Sequence, residues 1–138
     1  MINQLGERES RALLRDEITG RLGCSDHGKP YIVPVHYMFD NDFVYVLSSP
    51  GHKIDVLRDN PNACLQVDKI KDDEHWRSVL AFGQYEEVSE GKEREQIMSD
   101  LSKRFPNTVT ETETGNGASE SIVFRIRVTD ITGVYESH

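Results

Sequence analysis

From residue 19 to residue 49 the chain offers three β-type runs with almost nothing between them. "TGRLGCS" gives way to "YIVPVHYMF" (31–39) through "DHGKP", and "FVYVLSS" (43–49) follows after "DND" alone. β-Branched and aromatic residues fill the second and third runs, and the breaks are built from turn residues. Links this short join antiparallel neighbours, because a parallel pair needs a crossover of a dozen residues or more. The pattern resumes downstream. "ACLQVDKI" (63–70) reads as a strand, and "HWRSVLAFGQYEEV" (75–88) as a long one that sets Trp76, Ser78, Leu80 and Phe82 on one face. Gly83, inside it, marks a bulge or the close approach of another group. "SIVFRIRVTDITGVY" (121–135) alternates Ile122, Phe124, Ile126 and Val128 against Val123, Arg125 and Arg127. Six or seven strands in 138 residues point to a mainly β fold, a closed or nearly closed antiparallel barrel with helices outside.

Three short helical patterns complete the plan. Good helix formers fill "ERESRALLRDE" (7–17). After residue 49 the period changes: Ser49 reads as an N-cap, Pro50 as the first helical position, and Ile54 and Leu57 share a face until Pro61 ends the run. Residues 90–105 are amphipathic, with Ile97, Met98, Leu101 and Phe105 on one side. "PNTVTETETGNGASES" (106–121) reads as one long loop. The whole of 1–138 is expected to form one domain.

Net charge is −8, from 24 acidic and 16 basic residues, which argues against a nucleic-acid binder. A small anionic ligand is still compatible, since a local site can be positive on an acidic protein. No run approaches the roughly 18 apolar residues of a membrane span, and the N-terminus shows no apolar signal region, so the expected location is cytoplasmic. Cys24 and Cys64 are expected as buried free thiols. The five histidines show no HExxH spacing, and no metal cluster stands out.

"SSPGHKIDVLRDNP" (48–61) holds the clearest chemistry. A strand ending in hydroxyls, followed by a helix start carrying Lys53, suits a phosphate, because the first helical N–H groups are unpaired and the helix dipole favours negative charge there. It is not a Walker A loop. On chemistry alone a solvated turn and a ligand site stand level.

The surrounding pattern resembles the pyridoxamine-phosphate-oxidase-like FMN-binding split barrels, most of all their small nitroimidazole-resistance-type branch. The matching elements are Pro30-Tyr31 leading into a strand with an internal proline, the hydroxyl-ended strand, Gly51-x-Lys53, Leu57-x-x-Asn60-Pro61, and Arg77-Ser78-Val79 in a strand that reaches Gly83. The resemblance covers about residues 5–90. It implies a split β-barrel that binds FMN at a homodimer interface, with Ser48, Ser49, His52 and Lys53 around the phosphate. Backbone groups of Val33, Pro34 and Val35 would meet the ring edge, and His36 and Tyr37 would stand where a substrate approaches. Arg77, Ser78 and Val79 match an Arg-Gln-Val segment that reaches the flavin in the oxidases proper, and Trp76 would cover the ring or shape the dimer contact. Those oxidases carry a C-terminal tryptophan and arginine motif. This chain has Trp76 as its one tryptophan and ends "RVTDITGVYESH", so pyridoxamine phosphate oxidation itself is not expected. Arg125 and Arg127 are expected on an outer strand face beside acidic residues. The implied function is a flavin-dependent oxidoreductase acting on a small organic acceptor, with NAD(P)H or a protein as reductant. The alternatives are an FMN carrier or sensor without turnover, and a barrel that takes haem or a deazaflavin, with His36 or His52 as the axial ligand to test.

Overall fold

The computed structural model describes residues 1–106 and 121–137. The expected long loop falls, apart from its two ends, outside the described residues. In chain order the elements are β1 (Asn3–Gln4), α1 (Glu7–Asp16), β2 (Thr19–Asp26), β3 (Lys29–His36), β4 (Met38–Asp40), β5 (Phe43–Ser48), α2 (His52–Asp59), β6 (Asn62–Asp72), β7 (His75–Glu87), α3 (Lys92–Arg104) and β8 (Ile122–Glu136). All strand pairs are antiparallel. The sheet runs β3-β2-β6-β7-β8-β5-β4, and β1 adds to β8.

The two ends of that path are one piece of chain. β3 ends at His36 and β4 begins at Met38, with only Tyr37 between them. Two trans peptide steps of about 3.8 Å cannot span an open sheet of seven strands, so the sheet must curl until its edges meet. Covalent continuity, rather than a hydrogen-bonded ladder, closes this split barrel. The run 31–39, expected as a single strand, is therefore broken at Tyr37. The Tyr37 side chain is fully buried, its hydroxyl donates to the Leu14 carbonyl at 2.6 Å, and its N–H donates to the Ile18 carbonyl at 3.1 Å. Those bonds turn the chain out of one edge and into the other.

Period-two alternation then builds the interior. Leu22, Val44, Val46, Leu65, Val67, Val79, Ala81, Phe124 and Ile126 point inward, with Leu13 and Leu14 of α1 and Ile54 and Leu57 of α2 packed on them. A smaller cluster joins Ile97 and Leu101 of α3 to Val88 and Val123, with Met98 and Phe105 packed beside it. On β7 the inward set is Val79, Ala81, Gly83 and Tyr85, so Trp76, Ser78, Leu80 and Phe82 face outward. Gly83 fulfils both of its expected roles. The ladder slips between Phe82 and Gly83, and a Cβ at Gly83 would lie 2.2 Å from the Arg127 carbonyl oxygen.

One helix start differs from expectation. α2 begins at His52 with Gly51 in the cap position, not at Pro50 after Ser49. Ser48 still belongs to the β5 ladder, opposite Ile122, and its hydroxyl donates to the Ser49 carbonyl at 2.8 Å. Residues 49–51 are spent crossing from strand to helix. Among the described residues no helix is long and apolar enough to cross a membrane. Cys24 and Cys64 are free and half-buried, and burial raises both thiol pKa values.

Candidate functional site

Where β5 passes into α2, two clefts adjoin. One, of about 400 Å³, is lined by Tyr31, Val33, Ser48, Ser49, Pro50, Gly51 and His52. The other, of about 180 Å³, lies between β3 and α3 and is lined by Pro34, Val35, His36, Val46, Leu101 and Phe105. Leu47 and Lys53 belong to both.

Lys53 is the electrostatic centre of this corner. Its ammonium is half-buried, and burial alone pushes its pKa below that of an ordinary lysine. Among the described residues no carboxylate lies within ion-pair distance of it. Withdrawing an unpaired charge from water is costly unless a partner arrives. The first intrahelical bond runs from Asp55 N–H to the Gly51 carbonyl at 3.1 Å, so the N–H groups at the start of α2 have no helical acceptor. Cation and helix start together make a place for an anion.

His52 stands beside Lys53 but is turned away. Its Nε2 lies 3.1 Å from Asp26 Oδ2, and its ring meets Tyr31 edge-on at 5.0 Å. Asp26 also holds His27 Nδ1 at 2.9 Å, and that hydrogen bond, first among several causes, keeps its carboxyl below the usual range. His36 Nδ1 lies 3.1 Å from Thr19 Oγ1, and its ring stacks on Phe105 at 5.3 Å.

The structure thus gathers Val33, Pro34, Val35, His36, Ser48, Ser49, His52 and Lys53 around one corner. Tyr37, expected to face a substrate, is instead sealed in the core. The β7 candidates scatter. The Val79 side chain is fully buried inside the barrel. Ser78 lies on the outer sheet face, where its hydroxyl accepts from Gln66 Nε2 at 3.0 Å. Trp76 and Arg77 line a separate concavity that shares no residue with the two clefts. Sequence reasoning missed Leu101 and Phe105 as cleft walls. Their helical spacing announces an apolar face, but nothing in the spacing says that α3 lies against β3. Arg125 bonds Glu86 at 2.8 Å and Glu93 at 3.1 Å, and Arg127 lies 3.8 Å from Glu86, on the outer face as expected.

A barrel closed through one chain segment, with a cation-bearing corner at a strand-to-helix turn, defines the split-barrel class. Comparison with known proteins gives the family. The chain belongs to the pyridoxamine 5'-phosphate oxidase family, whose model matches residues 6–134, well past the segment that carries the quoted motifs. An uncharacterised protein of Rhizobium meliloti is 31% identical over 140 residues, which cover 89% of this chain and 93% of that one. The crystal structure of an FAD-binding protein from Mesorhizobium loti superposes with a TM-score of 0.85 at 29% identity, covering 99% of each chain. The haem storage protein HutZ of Vibrio cholerae shares the fold, with a TM-score of 0.74 at 16% identity over 94% of this chain and 93% of that one.

Proposed function

We propose that this chain binds FMN at the β5–α2 corner and is a flavin-dependent oxidoreductase for a small organic acceptor. The observation that carries this reading is Lys53, a half-buried cation at a helix start without a counter-charge among the described residues. A single terminal phosphate satisfies both features at once. The adjoining clefts suit the rest of such a ligand, since pockets for small molecules span roughly 300–1,000 Å³. The FAD-binding relative from Mesorhizobium loti supports the same class of ligand.

When bound, the flavin supplies one- and two-electron transfer. The residues of this chain hold and orient it. Lys53 and the first N–H groups of α2 take the phosphate. β3 ends the sheet path and pairs with β2 alone, so half of its backbone groups from Val33 to Val35 point away from β2 and can meet ring heteroatoms. Pro34 costs no ladder bond at such an edge. Leu47, Leu101 and Phe105 keep water from one wall of the smaller cleft. His36, held by Thr19 through Nδ1, offers its other ring nitrogen to a substrate. The reductant is proposed as NAD(P)H, and the working assembly as a homodimer.

The test is to purify the protein without added cofactor, identify any released chromophore, and compare its NAD(P)H oxidation with that of free FMN. FMN at about one per chain, lost in Lys53→Ala, supports the corner as its site. Rates no faster than free FMN would leave a carrier or sensor. A colourless protein that refuses added FMN, or one that carries haem instead, overturns the reading.

A further inference from the structure

Where α1 ends, its carbonyls run out of helical donors. Two residues from distant parts of the chain take them over. Tyr37 donates its hydroxyl to the Leu14 carbonyl and its N–H to the Ile18 carbonyl. Arg104, the last residue of α3, donates Nη2 to the Arg15 carbonyl at 3.0 Å and to the Glu17 carbonyl at 2.8 Å. A cation there also meets the negative end of the helix dipole. The neighbours of these two anchors then meet each other. His36 precedes Tyr37 and Phe105 follows Arg104, and these are the rings that stack at 5.3 Å with 28° between their planes. The Arg104 guanidinium lies 5.8 Å from the Phe105 ring centre, within cation–π range. Thr19, which opens β2 just after the end of α1, holds His36 through Nδ1. The end of α1 is therefore the common reference against which both rings are placed. Stability alone does not ask for an arginine here. Arg104 Nε is buried with no hydrogen-bond partner among the described residues, and among them no carboxylate lies within ion-pair distance of the guanidinium. An apolar side chain would seat α3 without that unpaired donor.

We propose that Arg104 is a positioning residue for the smaller cleft: by gripping the end of α1 it seats Phe105 on His36, and so fixes the imidazole that a substrate meets. Arg104 itself lines neither cleft, so it acts through its neighbour. Two acceptors shared by one nitrogen fix both the distance and the direction of the last turn of α3. Leu101, one turn earlier, lines the same cleft, so a displaced last turn moves both apolar walls. The seating needs no ligand, but its use in reduction rests on the reading of this corner as a flavin site.

The test uses the full chain, as purified and again after saturation with FMN, and compares Arg104→Met with the parent. Leu13 and Leu14 still bury α1 in the variant, and Ile97 and Leu101 still bury α3, so it should fold. If it does not, Arg104→Gln, which keeps one donor for the carbonyls, takes its place. Proton NMR of the imidazoles reads the seating, with His36 assigned by its loss in His36→Gln. In the parent the Phe105 ring shields the His36 ring protons. In the variant these should move downfield, towards their position in Phe105→Leu, while the His27 and His52 signals stay in place. Arg104→Lys, whose ammonium can donate to both carbonyls, should bring them back towards the parent. With NADPH as reductant and 1,4-benzoquinone as a one-ring acceptor, KM for the quinone should rise about threefold to tenfold in the variant, the worth of one aromatic contact. Turnover of ferricyanide, which needs no seat in the cleft, should not change. The proposal falls if the His36 signals of the folded variant coincide with those of the parent, or if all three histidines shift alike, which would report a general loosening. It falls too if the His36 signals move but KM does not, which would make Arg104 a docking residue only. A parent that reduces neither acceptor counts against the oxidoreductase reading, and the His36 signals still decide the seating.

Discussion

Lys53 sits half-buried in the first turn of α2 with no counter-charge among the described residues, a state unfavourable to folding until an anion is present. Its folded pKa lies below its unfolded one, so between those values the unfolded chain holds more protons and stability rises with pH. Lys53→Met keeps much of the stem and removes the charge. The flavin-free variant should melt higher than the flavin-free parent, and its melting temperature should lose the rise with pH that the parent shows as it approaches the ordinary lysine pKa. The same variant should bind FMN about tenfold or more weakly, the loss expected for a charged hydrogen bond. Parallel thermal melts and flavin titrations check both; a variant that melts lower and binds equally well would make Lys53 a packing residue. A second residue-scale prediction concerns His27, which occupies φ 53° beside Gly28 at φ 86°, a pair suited to a type I′ hairpin turn. Its hydrogen bond to Asp26 raises the His27 pKa and lowers that of Asp26. The histidine contribution is complete below its unfolded pKa and fades as pH rises through its raised folded value. The aspartate contribution is complete above its unfolded pKa and fades as pH falls through its lowered folded value. His27→Asn keeps a residue suited to positive φ and deletes the first contribution. The gap in melting temperature between parent and variant should narrow as pH rises through the histidine range.

At the scale of elements, β7 and its bulge hold the barrel together. Gly83→Ala would drive a methyl group to 2.2 Å from a backbone oxygen of β8, which cannot swing aside as a side chain can. A cost of about 2–3 kcal/mol is expected, read by chemical denaturation, the upper part of the range for overpacking. Tyr37→Phe removes the hydrogen bond that ties the β3–β4 break to Leu14, and should cost about 1–2 kcal/mol for the orphaned buried carbonyl. Gly83 could be read from sequence because glycine inside a strand has few other uses. The Tyr37 break could not, because no turn residue flanks Tyr37, the one proline of 31–39 stands three residues earlier inside β3, and the deciding bond goes to a helix 23 positions away. The capping signal at Ser49-Pro50 was overridden by the β5 ladder, which claims Ser48 and leaves the next three residues to cross. Alternation located β7 but did not say which face turns inward, since Trp76, Leu80 and Phe82 are as apolar as Val79, Ala81 and Tyr85. The corner around Ser48–Lys53 was legible because its residues are contiguous. The wall given by Leu101 and Phe105 was not, because it depends on where a helix docks.

At the scale of the whole molecule, the outer face left by that choice remains to be covered. Ile32, Gly23, Cys64 and Phe82 form one row across β3, β2, β6 and β7, and Pro34, Arg21, Gln66 and Leu80 form the next row. Ile32 is 67% exposed, Ile70 67%, Phe82 38% and Val134 37%, and all four lie on this face. It begins at β3, the strand proposed to meet the flavin ring, so a second copy seated here would cover both the apolar rows and the ligand. Two-fold symmetry lets one patch serve both subunits. The expected outcome is a dimer by light scattering after size exclusion. Phe82→Arg lines neither cleft at the Lys53 corner, yet it should weaken the dimer about tenfold to a hundredfold, the worth of one large buried side chain, and lower flavin retention with it. A parent protein that is monomeric at high micromolar concentration while holding its flavin would remove the dimer from the proposal and leave the corner to bind alone. A Phe82→Arg protein that is monomeric but keeps its flavin would separate assembly from binding, and would place the whole cofactor site within one chain.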